Sequence, residues 1–346
     1  MIPFLSKAVI RKFKGKTALV RIDLNSEPNA AGDMLRFEAV LPTLRLLLAS
    51  GLKVVILSHR GRPEAGHPKR AFSLAPFAPL FAKRLRTPVD FITANRVGAY
   101  RKAIAASDAR VILLENLRFF KGEEANDRSF AKALAACGDC YVNEAFPVSH
   151  RANASVAELP RFLPSFGGLR LKEEVERLSA VMGKPARPFV AILGGAKIGE
   201  KLKILHGLLG SADAVLLGSS IFAEQNPLHL PSMIFPGDAK AYRKAVWDIG
   251  PWTMHFYADR IAKARTVVWN GPVGFSEKRG FEKGTGAVWK ALLANRRATI
   301  VVGGGETVAS LGKRKPARNM FLSTGGGAML VFLSGKKLPG IEALRS

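Results

Sequence analysis

Basic side chains recur at the ends of the strand-like segments in the first half of this chain. In ALVRIDLN (18–25), the period of two puts Arg21, Asp23 and Asn25 on one face, opposite three apolar side chains. The next such segments end in the same way: His59 with Arg62, then Arg118, then His150 with Arg151. Ligands of parallel α/β sheets bind outside the carboxyl ends of the strands, so we expect these side chains to share one basin. A guanidinium binds two oxygens at once, so the basin is predicted to hold a small substrate that carries phosphate and carboxylate.

The strand-like segments of the second half end in glycines instead. They are FVAILGGAK (189–197), TVVWNGPVG (266–274), TIVVGGGET (299–307) and MFLSTGGGA (320–328). Glycine lets successive backbone amides converge on a phosphate, and a helix that begins there adds about half a positive charge. Each glycine turn could also be purely structural, and none is a dinucleotide-binding G-x-G-x-x-G fingerprint. Together they predict a second anion site, suited to the phosphates of a nucleotide.

Side chains around these glycines indicate phosphoryl transfer. Lys197 and Lys201 lie one helical turn apart at the start of a predicted helix, and lysine can follow a moving phosphoryl group as a mobile charge. Such a transfer depends on positioning and charge neutralisation more than on covalent catalysis. Glu306 is the candidate carboxylate for Mg²⁺, and Glu277 can accept hydrogen bonds from a ribose. Two anionic ligands on facing halves suggest that the group moves between them.

The composition narrows the class of protein. A length of 346 residues favours about two domains, and 48% hydrophobic residues is ordinary for a globular α/β protein. The 53 basic and 27 acidic residues give a net charge of +26, which would steer anionic substrates and attract nucleic acid nonspecifically. Because this charge is dispersed, a nucleic-acid-associated protein is the weaker alternative. No apolar run approaches a membrane span and the start lacks a signal-peptide layout, so we expect a cytoplasmic protein that contacts no membrane.

Cys137 and Cys140 form a lone C-x-x-C pair. Such a pair can be redox-active, whereas a zinc site would require a second pair that the sequence lacks. The two cysteines lie where a predicted helix runs into a predicted strand. We therefore favour a packing role for both.

Strands and helices alternate regularly along both halves, and the middle of the chain differs. Residues 164–183 combine a loop rich in glycine and proline with a strongly charged helix predicted at about 170–182, as is typical of a connector. We predict domains at 1–163 and 184–334, with the tail 335–346 returning to the first. The elements predicted for the second half are strands 189–193, 214–218, 265–269, 298–302 and 320–323, and helices 198–209, 238–263 (with a break near Gly250), 284–295, 306–313 and 327–334.

In order along the chain, these segments resemble the phosphoglycerate kinase family over nearly the whole length. The segments that carry the resemblance are RIDLN, SHRGRP, LLENLRFFKGEEAND, HRANAS, FVAILGGAKIGEK, VVWNGPVG, TIVVGGGET, STGGGA and KLPGIEAL. The family implies an α/β fold of two Rossmann-like parallel-sheet domains joined by a connecting helix, with the C-terminal tail returning to the N-terminal domain. It also implies reversible phosphoryl transfer from 1,3-bisphosphoglycerate to Mg-ADP, which gives 3-phosphoglycerate and ATP in glycolysis and gluconeogenesis. We expect a monomer.

The resemblance also implies roles for individual residues. Positions that match the family's phosphoglycerate site are Arg21, Asp23, Asn25, Arg36, His59, Arg62, Arg118 and Arg151. Positions that match its nucleotide site are Lys197, Lys201, Asn270, Pro272, Glu277, Gly304, Gly305, Glu306 and Thr307, with Glu306 reaching Mg²⁺ through the nucleotide. Arg36, Lys197 and Gly326 would act on the moving phosphoryl group itself. Closure about the 164–183 connector would bring the substrates together and exclude water.

The chain departs from the family pattern at several places. Glu306 stands where the family usually has Asp, and EAFPV (144–148) stands where D-A-F-G-T is common. Gly218-Ser219-Ser220 replaces a glycine triplet, and the stretch 221–240 is much shorter than usual. That stretch helps form the adenine pocket in the family, so nucleotide affinity and base choice stay open. A kinase-like binding protein without turnover is therefore a further alternative, although the retained phosphate-handling residues favour an active kinase.

Overall fold

A computed structural model describes residues 1–27, 34–224, 230–243 and 245–345 of the chain. These residues fall into two compact units. The first consists of Met1–Glu174 and Lys337–Ser346, and the second of Val175–Lys336. Within the described ranges, none of the helices combines the length and apolar content that spanning a bilayer requires.

The first unit is built on a six-stranded parallel sheet. Its strands are β1 (Thr17–Arg21), β2 (Lys53–Leu57), β3 (Val89–Ile92), β4 (Val111–Leu114), β5 (Cys140–Asn143) and β6 (Ser165–Gly167), in the order β3-β4-β2-β1-β5-β6. β2 and β4 are the continuous apolar runs that a sheet covered on both faces requires. Arg21, at the end of β1, pairs in register with Leu57 of β2 and Asn143 of β5. The carboxyl ends of the central strands therefore meet at one edge.

Helices cover both faces of this sheet. They are α1 (Lys7–Arg11), α2 (Met34–Ala49), α3 (Ala78–Leu85), α4 (Ala99–Ala106), α5 (Lys121–Glu124) and α6 (Arg128–Ala135). The helix α7 (Leu169–Met182) begins in the first unit and ends in the second. Its first turn is capped by Glu144, which accepts hydrogen bonds from Thr43 Oγ1, from Arg170 N (3.1 Å) and from Leu171 N (2.8 Å). The glutamate of the EAFPV segment is thus a buried anchor for the start of this helix.

The second unit repeats the architecture with a second six-stranded parallel sheet. Its strands are β7 (Phe189–Leu193), β8 (Ala214–Leu217), β9 (Met233–Ile234), β12 (Thr266–Asn270), β13 (Thr299–Gly303) and β14 (Met320–Leu322), in the order β14-β13-β12-β7-β8-β9. The strands β10 (Ala239–Tyr242) and β11 (Ala245–Ile249) form a separate antiparallel hairpin. The helices are α8 (Ile198–Ile204), α9 (His206–Gly210), α10 (Pro251–Lys263), α11 (Lys283–Ala294), α12 (Gly305–Ala309) and α13 (Gly326–Leu333). The fold class predicted from the sequence, α/β with two parallel-sheet domains, is confirmed.

The helix predicted at 238–263 is wrong over its first half. The strands β10 (Ala239–Tyr242) and β11 (Ala245–Ile249) pair as an antiparallel hairpin, and Arg243, just after β10, has φ of +46°. The helix begins only at Pro251, whose missing N–H and fixed φ suit the first helical position. Asp238 fixes this start because its carboxylate accepts from the backbone N–H groups of Trp252 (3.0 Å) and Thr253 (2.8 Å). The predicted break near Gly250 is therefore a helix start.

The C-terminal segment returns to the first unit, as predicted. The short helix α14 (Pro339–Glu342) packs there through Gly340, whose N–H donates to Ser149 O (2.9 Å) and whose carbonyl accepts from Asn143 Nδ2 (2.9 Å). Cys137 and Cys140 are both buried and unbridged, and burial raises their thiol pKa values to about 11 and about 12. Thiols that stay protonated are poor nucleophiles, which supports the packing role.

Candidate active site

Arg21 lies at the centre of the basic basin, but its guanidinium is fully enclosed by the protein. Nε donates to Ser155 Oγ (2.7 Å), and Nη2 lies 3.5 Å from Glu123 Oε1 and 3.2 Å from His59 Nδ1. Glu123 in turn accepts from Ser155 N (3.0 Å) and Ser155 Oγ (2.6 Å). The structure therefore places Arg21 behind His59, as a support that fixes the imidazole.

His59 is held as a neutral hydrogen-bond donor. Burial, with the charges of Arg21, Arg118 and Arg151, keeps the pKa of His59 well below its usual range, although Asp23 opposes this. A guanidinium can only donate, so Nδ1 accepts from Arg21 and the ring proton is on Nε2. His59 can therefore act as a hydrogen-bond donor only through Nε2–H.

Asp23 and Arg36 form the next part of the basin. Arg36, in the first turn of α2, donates from Nη1 to Asp23 Oδ1 (3.3 Å) and to Asn25 O (3.0 Å). Burial opposes ionisation of Asp23, but the charges of Arg36 and Arg21 and the N–H of Asn25 outweigh it and lower its pKa. Asn25 orders the next loop, because its Oδ1 accepts from Gly61 N (2.8 Å). Asp23 and Asn25 thus hold Arg36 and the loop after β2 in place.

The other predicted cations differ in exposure. Arg118 is buried, donates to Gly61 O (2.6 Å) and pairs with Glu124 (3.1 Å). Arg62 is exposed, and Arg151 is half-buried beside His150. The first unit therefore surrounds one edge of its sheet with cations, of which Arg36, Arg62 and Arg151 retain solvent-accessible surface. This arrangement can bind a small, multiply charged anion.

The second unit contains a cavity of about 400 Å³ at the carboxyl edge of its sheet, within the range typical of small-ligand sites. Residues that line it include Gly195, Ser219, Ser220, Trp247, Pro272, Phe275, Glu277 and Glu306. The lining combines glycines, serines and two carboxylates with aromatic and aliphatic side chains. A cavity of this kind suits a ligand with a charged tail and a flat apolar head.

The two predicted lysines lie in the loop and helix that follow β7. Lys197 precedes α8 with φ of +56°, a left-handed conformation that is uncommon outside glycine, and its Nζ lies 3.5 Å from Glu200 Oε1 on the exposed surface. Lys201 Nζ donates to Gly194 O (2.7 Å). Burial lowers the pKa of Lys201, and the charge of Glu306 opposes this. Lys197 is therefore the exposed cation, and Lys201 is the one fixed against the glycine turn.

Glycines allow the strand ends to touch. Gly271 has φ of +90°, and a Cβ there would lie 1.9 Å from Gly194 O. A Cβ on Gly326, the first residue of α13, would lie 2.7 Å from Gly304 Cα. The loops after β7 and β12, and those after β13 and β14, therefore approach more closely than side chains would permit, and a Cβ on Gly304 would lie 3.7 Å from Gly271 N, which links the two pairs. Gly305 and Gly326 begin helices at this point.

Asn270 lies buried where these loops converge. Its Nδ2 has no hydrogen-bond partner anywhere in the described ranges. Ideal Cβ positions of Gly303, Gly304 and Gly326 lie 3.5–3.8 Å from that atom. A buried donor without a partner is costly, so its place among helix starts and glycine amides indicates an anionic ligand.

Thr307 and Glu306 have different surroundings. Thr307 is fully buried, and its Oγ1 accepts from Gly271 N (2.8 Å), so it ties two loops together. Glu306 is exposed and lines the cavity. Within the described residues, no three His, Cys, Asp or Glu side chains form a metal cluster. A Mg²⁺ ion held by one carboxylate and by the phosphates of its ligand fits this arrangement.

Sequence reasoning missed three residues of these sites. Glu123 contacts Arg21 across 102 positions of sequence, and no local pattern shows this contact. Trp247 lies within the helix predicted at 238–263, but the structure places it in β11. Ser220 was recognised only as a departure from a glycine triplet, and its buried Oγ has no partner in the described part of the chain.

The structure contains two parallel-sheet units. One carries a cationic basin, and the other carries lysines and converging glycine loops. This combination defines an α/β phosphotransferase. The chain belongs to the phosphoglycerate kinase family, whose sequence model matches residues 9–224 and 232–336. The chain is 37% identical to the phosphoglycerate kinase of Leptospira biflexa serovar Patoc, over 96% of each chain, and 38% identical to that of Chlorobium phaeovibrioides, over 96% of this chain and 97% of the relative.

Solved structures agree with this assignment. The chain is similar to the phosphoglycerate kinase of Coxiella burnetii, with a TM-score of 0.78 and 32% identity over 99% of each chain. It is similar to the enzyme of Pyrococcus horikoshii OT3 with a TM-score of 0.83 and 30% identity over 96% of each chain.

The comparisons also bear on the shortened region. The alignment with the Leptospira protein spans 385 positions, 39 more than the 346 residues of this chain, so at least 39 residues of that relative have no counterpart here. The family match is interrupted at 225–231, inside the stretch 221–240 that the sequence identifies as shortened.

Proposed function

We propose that the chain catalyses reversible phosphoryl transfer from 1,3-bisphosphoglycerate to Mg-ADP, giving 3-phosphoglycerate and ATP. The observation that carries the proposal is the buried Asn270 amide, which lacks a partner in the described residues where glycine loops converge beside Lys201. Membership of the family across nearly the whole chain supports the same reaction. It also favours a kinase over a binding protein without turnover or a nucleic-acid-associated protein.

The first unit binds the phosphoglycerate. Arg62 and Arg151 neutralise its anionic groups, Arg118 adds the charge of a buried guanidinium that also pairs with Glu124, and His59 donates a hydrogen bond from Nε2. Arg36, held by Asp23, stands beside the acyl phosphate. Arg21 and Asn25 act by holding His59 and the loop after β2. The predicted substrate-binding set thus divides into groups that touch the ligand and groups that position them.

The second unit binds the nucleotide. Glycine amides and the Asn270 amide donate hydrogen bonds to phosphate oxygens, and Lys201 binds the nucleotide phosphates through its charge. Glu277 accepts hydrogen bonds from the ribose. Pro272 shapes the cavity, and its carbonyl accepts from Gly195 N (2.7 Å). Mg²⁺, when it arrives with the nucleotide, would neutralise phosphate charge beside Glu306. Gly304, Gly305 and Thr307 form the backbone turn that presents Glu306.

The chemical step moves one phosphoryl group between two oxygens. A terminal oxygen of the ADP β-phosphate forms the new P–O bond as the bond from phosphorus to the acyl oxygen breaks, which releases the carboxylate of 3-phosphoglycerate. No covalent enzyme intermediate is needed. Lys197 follows the phosphoryl charge, and the N-terminus of α13 at Gly326 stabilises its oxygens.

The finer assignments belong to the same proposal. A cytoplasmic monomer is proposed, acting in glycolysis and gluconeogenesis. The domain limits proposed from the sequence are 1–163 with 335–346, a connector at 164–183, and 184–334.

Lys197→Ala provides the test. We expect turnover with ATP and 3-phosphoglycerate to fall by ~10³ or more, because a transition-state cation is lost. Lys203→Ala in α8, the helix that Lys197 precedes, is the matched control, since Lys203 is exposed and forms no ion pair within the described residues. The assay is coupled ATP consumption with Mg²⁺. Equal turnover of both variants would reject the role of Lys197, and absent turnover in folded wild type would reject the kinase.

A further inference from the structure

Glu123 is a buried carboxylate of the first unit to which the proposed function gives no role. It lies in the short helix α5, and its side chain and that of Arg21 are each 1% exposed. Its Oε1 lies 3.5 Å from Arg21 Nη2 and accepts from Ser155 Oγ (2.6 Å), while Oε2 accepts from Ser155 N (3.0 Å). A carboxylate away from water is costly unless an opposite charge and hydrogen bonds compensate it. Glu123, Arg21 and Ser155 therefore form one network.

This network fixes the guanidinium of Arg21 in one orientation. Nε donates to Ser155 Oγ (2.7 Å) and Nη1 donates to the carbonyl of Ile22, so both of these partners are neutral. Nη2 has two hydrogens and lies between Glu123 Oε1 and His59 Nδ1 (3.2 Å). Glu123 therefore supplies the negative charge that the guanidinium contacts, and it accepts one hydrogen of Nη2 while the other points at His59.

The position of the proton on His59 depends on this arrangement. The hydrogen bond made by one ring nitrogen decides which of the two carries the proton of a neutral imidazole. While Arg21 Nη2 donates to Nδ1, the proton is on Nε2. If the guanidinium turned away, Nδ1 could carry the proton and Nε2 would become an acceptor, which cannot bind a phosphate or carboxylate oxygen.

We propose that Glu123 is a positioning residue of the phosphoglycerate site: its carboxylate holds Arg21, and Arg21 holds the proton of His59 on Nε2. This inference rests on the proposed function, because it takes the ligand of the first unit to be phosphoglycerate. Charge alone predicts the opposite effect of removing Glu123. A basin that loses a carboxylate becomes more positive, which would tighten the binding of an anion. The sign of the change in affinity therefore separates positioning from general electrostatic attraction.

The test measures the binding of 3-phosphoglycerate by calorimetry. Glu123→Gln keeps the shape of the side chain and removes its charge. We expect it to weaken binding by about 10- to 150-fold, the range for one hydrogen bond to a charged group, and to leave Mg-ADP binding unchanged. Glu123→Asp keeps the charge and should recover part of the affinity. Glu144→Gln is the matched control that should bind as wild type does, because Glu144 is a buried carboxylate of the same unit that accepts from Thr43, Arg170 and Leu171.

Nuclear magnetic resonance of the ring nitrogens reports the proton of His59 directly. In wild type we expect the signals of a neutral imidazole protonated on Nε2, assigned by their absence in His59→Gln. In Glu123→Gln these signals should move toward those of the Nδ1–H tautomer. Ser155→Ala removes the hydroxyl between Glu123 and Arg21, should act in the same direction, and provides a second variant if Glu123→Gln does not fold. A residue that only stabilised the fold would lower the melting temperature and leave both the affinity and these signals unchanged.

Three results would overturn the inference. They are unchanged or tighter binding of 3-phosphoglycerate in Glu123→Gln, an equally large loss in Glu144→Gln, and His59 signals that match wild type in both Glu123→Gln and Ser155→Ala. The resonance measurement needs no ligand. A wild type that does not bind 3-phosphoglycerate would therefore reject the proposed function, and the signals of His59 would still decide whether Glu123 positions its ring.

Discussion

Replacing Asn270 by leucine should make the free protein no less stable while it weakens the nucleotide site. The Asn270 amide is buried, and its Nδ2 has no partner in the described ranges, so the folded chain carries a desolvated donor that costs ~1–3 kcal/mol. Leucine has nearly the same shape and removes that donor. We expect the free energy of unfolding to stay constant or to rise by about 1–2 kcal/mol.

Nucleotide affinity should change in the opposite direction. A hydrogen bond from a neutral amide to an anionic phosphate contributes about 1.5–3 kcal/mol, which corresponds to a loss of about 10- to 150-fold in affinity for Mg-ADP. Thermal unfolding with and without Mg-ADP measures both effects in one experiment. The variant should melt at or above the wild-type temperature without ligand and gain less from added ligand.

Asn295 supplies the matched control. It is also buried, but all of its amide hydrogen-bonding groups have partners: Nδ2 donates to Ile261 O (2.7 Å) and Ala264 O (2.9 Å), and Oδ1 accepts from Arg297 N and Ala298 N. Asn295→Leu should therefore cost at least ~2–4 kcal/mol of stability and leave nucleotide affinity unchanged. If Asn270→Leu behaves like Asn295→Leu, with a large loss of stability and intact affinity, Asn270 is a structural residue and the argument for the phosphate site fails.

Two pH dependences follow from buried groups in the first unit. Because the pKa of His59 is lowered in the folded state, the unfolded chain binds a proton below about pH 6.5 that folded His59 does not. The free energy of unfolding should therefore fall as the pH drops below that value, by at most ~1.4 kcal/mol per pH unit. His59→Gln should flatten this slope in urea unfolding between pH 5 and 7, and an unchanged slope would contradict the prediction. Burial raises the pKa of Glu144 to about 7, against hydrogen bonds from Thr43, Arg170 and Leu171, so the folded state retains a proton between about pH 4.5 and 7 that the unfolded chain has lost. Stability should therefore fall as the pH rises through that window, and a melting temperature of Glu144→Gln as steeply pH-dependent as that of wild type would refute the assignment.

The sequence could predict the phosphate-handling part of both sites because that part depends on local rules. Alternation along β1 and the common carboxyl edge of parallel strands are enough to bring Arg21, His59 and Arg118 to one region. Their division of labour could not be predicted in the same way. Arg21 supports the site instead of facing a ligand because Glu123 and Ser155 enclose it, and both are more than 100 positions away. Only the folded structure shows which charged side chains are already paired with other groups of the protein.

The aromatic lining that the β10–β11 hairpin adds to the cavity could not be predicted from local sequence patterns, for a related reason. Residues 239–249 lie next to a true helix and were assigned to it, but the hairpin packs through Tyr242 and Trp247 onto Phe275 and Phe281, some 30 positions further on. Such contacts decide strand against helix, and no window of sequence contains them. The phosphate end is encoded differently, in glycines whose missing side chains let backbones touch, and a glycine is visible in any sequence. The aromatic lining that the hairpin adds to the cavity is thus the part of the site that sequence reasoning could not locate.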